Sequence, residues 1–343
     1  MTVINNIEID NIDYKPNSIK EAILNNDPIE DKLHVIIVVS NPCLYARRYI
    51  LAREFIKRIE CEESNVILYV VEFAYGNQKF IMTEKNNKKH LQIRVETPIW
   101  HKENMINCGV KALLPSHWKA FAWIDADIEF ESTTWALDTL KILNGSKDIV
   151  QLFSHALDMD KYKKTMTIFS SFGYQYSNNK TYGGKGPEYW HPGFAWACTR
   201  KAYEKMGGLY EYGILGSSDN IMALSFIGNG LKGVDKNSTD GYKETVLDFQ
   251  TNVKNLRLGY VPGVIKHHFH GSKKNRKYTE RWQILVSHLY NPLEHLDIDK
   301  NNNSNSNSNY NCNVLIPSSK CPKQLISDIY NYFEERNEDE GYI

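Results

Sequence analysis

Phe121-Ala122-Trp123-Ile124-Asp125-Ala126-Asp127 decides the reading of this chain. An apolar strand ends abruptly in two carboxylates with one small residue between them. In an open parallel sheet, ligands bind beyond the carboxyl ends of the strands. Two acidic groups set there repel each other unless a cation lies between them. Hard divalent cations favour such oxygen ligands. Ala126 lets a ligand approach the backbone. The stretch therefore predicts a metal site that holds a phosphorylated substrate. Asp-x-Asp also arises by chance in solvated loops and helix caps, so the rest of the chain has to support it.

Outward from this stretch, strand and helix signals alternate. His34 to Ser40 is a β-branched run, broken by Asn41-Pro42, and reads as a buried strand. A helix is predicted from Tyr45 to Ile59, with strands at Val66–Phe73 and Leu91–Val95. A helix from Glu103 to Leu114 stops at Pro115, and Lys119–Ile124 is the strand that delivers the acidic pair. Thr133–Leu143 reads as helix and Ile149–Phe153 as strand. This alternation predicts an α/β fold, a doubly wound and mostly parallel Rossmann-like sheet. After Ser154 the texture changes, and Ser170–Gly193 reads as long loops over a cleft. Helices are then expected from Thr199 to Gly207 and from Ser217 to Ile227, a strand within Lys254–His270, and a final amphipathic helix over Thr279–Tyr290.

The 343 residues carry a formal net charge of zero, which argues against a broad nucleic-acid-binding face. Six scattered cysteines with no C-x-x-C pair suggest free thiols in a reducing compartment. No apolar run is long enough to span a bilayer, and Met1–Asp31 has no signal-peptide pattern. The expectation is a soluble, cytoplasmic protein, so the glycosylation-type triplets at Asn144 and Asn237 are discounted. Asn301–Asn313 is low in complexity and reads as a disordered spacer. The expected organisation is an extension over 1–32, one domain over 33–298 with an acceptor-binding C-terminal half, a linker over 299–322, and a helical tail over 323–343.

Three further clusters carry chemistry. His267-His268-Phe269-His270 runs into Gly271-Ser272-Lys273-Lys274-Asn275-Arg276-Lys277. One imidazole added to two carboxylates favours Mn²⁺, with Mg²⁺ the alternative. Strand period places His268 and His270 on one face and His267 on the other, and the basic run is suited to a diphosphate. Gly216-Ser217-Ser218-Asp219-Asn220 opens a helix, where Asp219 is either a general base or a cap. Trp190-His191-Pro192-Gly193-Phe194-Ala195-Trp196 reads as a sugar-stacking floor or as a packed aromatic turn.

In their order these motifs resemble GT-A-fold nucleotide-sugar glycosyltransferases, in particular the group related to β-1,4-galactosyltransferases and their bacterial and viral relatives. Val38-Val39-Ser40-Asn41-Pro42 is similar to that group's nucleotide-contacting element, and Lys102 to Gly109 to its helix with a basic residue and Asn-x-Gly. The resemblance covers Leu33 to Asp297. It implies a metal-dependent, inverting transfer from a nucleotide-diphosphate sugar, a UDP-sugar, to a glycan or other hydroxyl acceptor. Asp125, Asp127 and His270 would hold the metal, with His267 or His268 as alternatives to His270. Donor contacts fall to Ser40, Asn41, Pro42, Glu72, Lys102, Asn107, Lys273 and Arg276. Acceptor contacts fall to Trp190, His191, Gly193 and Asn220, and the base to Asp219. The pattern has an acidic pair where this chain has Ser218 before Asp219. The rival readings are a phosphatase of the haloacid-dehalogenase type, in which the motif strand comes first, and a non-catalytic sugar-binding module.

Overall fold

The computed structural model of the protein describes residues 32–144, 146–299 and 312–341, and the backbone of two short paired strands at Val3–Ile4 and Ile7–Glu8. Most of the expected N-terminal extension and the Asn-rich tract up to residue 311 lie outside the described residues.

The first half follows the alternation read from the sequence. It comprises β1 (Leu33–Ser40), α1 (Ala46–Glu62), β2 (Val66–Tyr75), β3 (His90–Val95), α2 (Lys102–Leu113), β4 (Ala120–Ile124), β5 (Ile128–Phe130), α3 (Trp135–Leu143) and β6 (Ile149–Gln151). Strands β1, β2 and β3 precede β4 in the chain, unlike the phosphatase pattern. β7 (His155–Met159) and β8 (Thr165–Ser171) come next, and the region expected as loops, Ser170–Gly193, opens on the end of β8 and on α4 (Phe172–Ser177). β9 (Trp190–His191), β10 (Ala195–Thr199), α5 (Arg200–Met206), α6 (Ser218–Phe226) and α7 (Asp240–Val253) follow. Next come β11 (Leu258–Tyr260), β12 (Val264–His267), α8 (Trp282–Ser287), α9 (Pro292–His295), β13 (Leu296–Ile298), β14 (Leu315–Pro317) and α10 (Lys323–Glu335).

The central sheet has the order β11-β6-β10-β4-β1-β2-β3. Every pairing in it is parallel except those of β10, which runs against β4 and β6. The fold is thus α/β with a large, mostly parallel sheet. Alternation along β1 sends Ile36 to one face and Val35 and Ile37 to the other, so each face builds its own apolar core. Asn-x-Gly in α2 has a packing explanation: a Cβ on Gly109 would lie 2.8 Å from Val71 Cγ2 and 3.2 Å from Ile36 Cγ2. Glycine lets the helix sit down on β1 and β2.

A second sheet, β9-β8-β7-β12-β5, stands beside the carboxyl end of β4. β5 follows directly on Asp127, and its antiparallel pairing with β12 sets Ile128 opposite His267. That register carries the histidine cluster to the acidic pair. α5 ends as the sequence predicts, with Thr199 capping its start and Gly207 at φ 76° closing it. The expected final helix is shorter than Thr279–Tyr290, being regular only over Trp282–Ser287. The tail is built into the domain. Residues 315–317 pair with β13, and α10 buries Leu325, Ile329, Tyr332 and Phe333. Residues 312–322 of the expected linker therefore include packed chain. No described helix is long and apolar enough to cross a membrane.

Candidate active site

A cleft of about 620 Å³ opens where β1, β4, β12, α2 and α6 converge. Its floor is the turn after β4. The Asp127 carbonyl accepts from the His268 N–H at 2.8 Å, tying this turn to the end of β12.

Asp127, His267 and His270 form a cluster whose ligand-type atoms lie within 4.8 Å of one another. His270 Nε2 is 2.9 Å from Asp127 Oδ2 and 3.3 Å from His267 Nε2. His267 Nδ1 lies 2.7 Å from Asp158 Oδ1, so the proton belongs on Nδ1 and the Nε2 lone pair faces the cluster. Arg276 Nη2 approaches His270 Nε2 at 2.7 Å. One imidazole nitrogen cannot both accept from Arg276 and donate to Asp127. Asp127 Oδ1 is buried with no hydrogen-bond partner. A divalent cation fits this set: it would take the imidazole lone pairs and the orphaned oxygen and free Arg276 for an anion. Burial alone would raise the Asp127 carboxyl, but His270, His267 and Arg276 overcome it and hold it well below the usual range. Burial lowers His267.

Two metal expectations change. His267 joins the cluster and His268 does not, because β12 ends at His267 and the chain then turns through Gly271 at φ 84°, so strand alternation no longer applies. His268 Nε2 faces Glu129 instead, at 3.3 Å. Asp125 is engaged by the Lys102 ammonium in a close ion pair rather than turned into the histidine cluster. Burial would strip the Lys102 proton, but Asp125 above all keeps it charged.

The expected donor-side residues divide in two. Ser40, Asn41, Pro42, Lys102, Lys273 and Arg276 line the cleft. Lys273 Nζ sits 2.7 Å from Asp158 Oδ2 and over the Phe169 ring. Glu72 is instead a loop anchor: its carboxylate accepts from the backbone N–H groups of Ile81, Met82 and Thr83 and from the Thr83 hydroxyl. Asn107 is likewise consumed, bonding Leu209 N at 2.8 Å, Leu209 O at 3.0 Å and Glu211 Oε2 at 2.7 Å. It fastens α2 to the chain leading into α6.

His191, Gly193, Asp219 and Asn220 also line the cleft. A Cβ on Gly193 would come 2.8 Å from Asp219 Oδ2, so the absent side chain makes room for that carboxylate. Asp219 Oδ1 accepts from the Asn220 N–H at 2.8 Å. Ser217, just before α6, is held at φ 77° with Arg281 bonded to its hydroxyl. Such non-glycine strain at a helix entry concentrates at functional sites. His191 stacks on Phe194 with centroids 4.0 Å apart, and burial pushes its imidazole down to about 3, so it stays neutral. Trp190 is a core residue packed edge-on against Phe172 rather than a cleft floor.

Several cleft residues escaped the sequence reading. Glu103, in the first turn of α2, is 3% exposed and lines the cleft, and burial pushes its carboxyl up to about 8. Glu338, beyond α10, is 1% exposed, bonds Arg48 and Arg336, and lies 3.6 Å from His270 Nδ1. Arg48 also donates to the Ser40 carbonyl at 2.6 Å. Glu338, some two hundred positions beyond the acidic pair, belongs to no local pattern that could have revealed it, and Glu103 lies beside Lys102 in a quoted motif but reads there as an ordinary first-turn acid.

No protein family and no curated protein matches the chain by sequence. Among solved structures it is similar, at low identity, to several that are not all of one activity. One is a Drosophila β1,4-galactosyltransferase 7 mutant in complex with manganese, UDP-Gal and xylobiose. That match has 11% identity, covers 84% of this chain and 93% of that one, and has a TM-score of 0.41. Another is the catalytic domain of the same Drosophila enzyme with xylobiose, at 12% identity and TM-score 0.32, where the match covers 59% of this chain and 63% of that one. A third is 4-diphosphocytidyl-2C-methyl-D-erythritol synthase from Anaerococcus prevotii, at 13% identity, 68% and 88% coverage, and TM-score 0.32.

Proposed function

We propose that this chain is a metal-dependent, inverting glycosyltransferase that moves a sugar from a nucleotide-diphosphate sugar, a UDP-sugar, to an acceptor hydroxyl. The observation that carries this reading is that one cleft holds two kinds of group. The Asp127–His267–His270 cluster with Lys273 and Arg276 suits a diphosphate, and Asp219 in the same cleft suits a nucleophile to be deprotonated. The family resemblance of the motif order supports the same assignment.

Asp127, His267 and His270 would hold Mn²⁺ or Mg²⁺, which when bound supplies Lewis-acid stabilisation of the departing diphosphate. Arg276 and Lys273 add fixed positive charge where negative charge grows on the leaving group. Lys102 orients Asp125 at the sugar-nucleotide side. Asp219 takes the proton from the acceptor hydroxyl as it attacks the anomeric carbon from the face opposite the diphosphate, which inverts that carbon. The bond to the diphosphate breaks as the new glycosidic bond forms. Ser40, Asn41 and Pro42 lie at the nucleotide end, and His191, Gly193 and Asn220 at the acceptor end.

The test is a panel of nucleotide sugars with Mn²⁺, scored by release of free nucleotide diphosphate. UDP-sugar turnover that stops with EDTA is expected. Asp219→Asn keeps the shape and much of the capping ability while removing the basic carboxylate, so transfer should fall at least about a hundredfold with the melting temperature near wild type. A variant that transfers at the wild-type rate removes Asp219 as the base. Retention of the donor's anomeric configuration in the product removes the single displacement.

A further inference from the structure

Arg281 and Arg336 line the cleft and are almost wholly withdrawn from water, at 8% and 5% exposed. Arg336 has a counterion, because the Glu338 carboxylate accepts from its Nε at 2.8 Å. Arg281 has none. Its guanidinium donates to two hydroxyls, that of Ser217 and that of Tyr332 at 3.2 Å, and lies 5.2 Å from the centre of the Tyr278 ring. Among the described residues no carboxylate pairs with it. Hydroxyls and a ring face engage its donors without cancelling its charge. A guanidinium keeps its proton in a protein, and an unpaired buried charge is costly. A residue that faces a cleft recovers that cost when an anion binds.

The contacts of Arg281 place that anion. A Cβ on Gly216 would come 3.2 Å from Arg281 Nη1, and Ser217 is the partner of Nη2. Glycine at 216, held at φ 91°, therefore leaves the guanidinium uncovered on that side. Gly216 and Ser217 lead directly into α6, whose second residue is Asp219. All of these residues line the cleft. Arg276, assigned to the diphosphate, keeps different company: it meets His270 Nε2 at 2.7 Å and the Tyr278 hydroxyl at 3.1 Å. Arg281 meets only the face of that tyrosine. One cation thus belongs to the metal cluster and the other to the entry of the helix that carries Asp219. Of the five N–H groups of Arg281, two are given to Ser217 and Tyr332. The rest are free to hold a carboxylate or a phosphate, which a guanidinium binds through paired donors.

We propose that Arg281 is a specificity-determining residue that binds an acidic group on the acceptor, a carboxylate or a phosphate, so that the acceptor is an anionic sugar. The inference rests on the glycosyltransferase reading and names its acceptor class. The cleft then has two anion sites, Arg276 with the metal cluster for the donor and Arg281 for the acceptor.

The experiment uses the full chain as wild type, Arg281→Met and Arg281→Lys. The probes are glucose, glucuronate and glucose 6-phosphate, which share one ring and differ at carbon 6. Their binding is measured by saturation-transfer NMR with UDP and Mg²⁺, since paramagnetic Mn²⁺ would broaden the signals. UDP affinity is measured separately by calorimetry. Wild type should bind glucuronate or glucose 6-phosphate at least about tenfold more tightly than glucose, the scale of a charge-assisted hydrogen bond. Arg281→Met should abolish that preference while glucose affinity stays within about threefold. Arg281→Lys keeps the charge without the fork and should reduce the preference at least about threefold. UDP affinity should stay within about threefold in both variants. A residue that merely holds Ser217 in place would, on substitution, weaken neutral and acidic sugars alike, and an intact preference in Arg281→Met overturns the proposal. Equal affinity for the three sugars in wild type overturns it too, as does the absence of binding of either acidic sugar. Loss of UDP affinity in a folded variant assigns Arg281 to the donor and likewise overturns it. Should Arg281→Met fail to fold, Arg281→Lys decides, and an unchanged preference there overturns the proposal. Failure of the underlying reading shows separately, as wild type without metal-dependent affinity for UDP.

Discussion

Glu338→Gln tests whether the segment beyond α10 is part of the cleft. Glu338 is fully buried and its carboxylate joins two guanidinium groups: Arg48 Nη2 donates at 2.6 Å and Arg336 Nε at 2.8 Å. Burial would raise its pKa, but Arg48 and Arg336 hold it well below the usual range. Removing one partner of a buried ion pair costs roughly 3–5 kcal/mol. Arg48 is 24% exposed, and the amide retains one acceptor, so the lower end applies, about 3 kcal/mol. At about 2 °C per kcal/mol for a domain of this size, the melting temperature should fall by about 6 °C. The same substitution loosens Arg48 from the Ser40 carbonyl and removes the carboxylate beside His270, so Mn²⁺-dependent UDP affinity should fall as well. The pH dependence follows from the sign of the shift. A folded pKa depressed below the unfolded value gives stability that is present above about pH 4.3 and is lost as pH falls further towards the folded value. The gap between wild type and variant should therefore close in acid. Thermal melts across pH and calorimetry with UDP are the assays. A melting point within 1 °C of wild type together with unchanged UDP affinity would refute the reasoning.

Other outcomes follow from the same geometry. His270→Ala and His267→Ala should each raise the Mn²⁺ concentration that supports UDP binding at least about tenfold, while His268→Ala leaves it near wild type; equal effects at 267 and 268 would contradict the cluster. Glu103 has a raised folded pKa of about 8, so its contribution is complete below its unfolded value, about 4.3, and is lost as pH rises through about 8. Glu103→Gln should therefore gain on wild type in melting temperature between pH 5 and pH 8.5, and a constant difference over that range would show that the carboxyl is not held neutral.

Much of the fold was legible because residues 33–153 alternate β-branched runs with helical periods, and the parallel sheet follows that pattern strand by strand. β7 and β8 were not, since Leu157-Asp158-Met159 and Thr165-Met166-Thr167 mix polar and apolar residues and show no clean alternation, although the two strands pair with each other as a local hairpin. α7 was missed although its signal was present: Thr239 caps it, and Tyr242, Val246, Phe249 and Val253 recur at helical spacing. At the cleft, Asp127, Asp219 and His270 could be found because local motifs frame them. Glu72, Asn107 and Trp190 were assigned to ligands from position in a motif, whereas neighbouring loops and rings satisfy them. His267 replaced His268 because a strand's period holds only while the strand lasts.

The bond between Arg48 and Glu338 spans 290 residues. A chain emerging from the ribosome has its whole central sheet available once β11 has been made, and local and mid-range contacts can form by then. The end of the cleft around Ser40 and Arg48 cannot be finished at that stage, because the carboxylate that fixes Arg48 and faces His270 has yet to be synthesised. The growing polypeptide is thus without a complete cleft until the segment carrying Glu338 has been made and has docked. In the mature protein the order reverses: the segment that closes the cleft last is the one whose release by local unfolding would dismantle it first, leaving the sheet beneath intact.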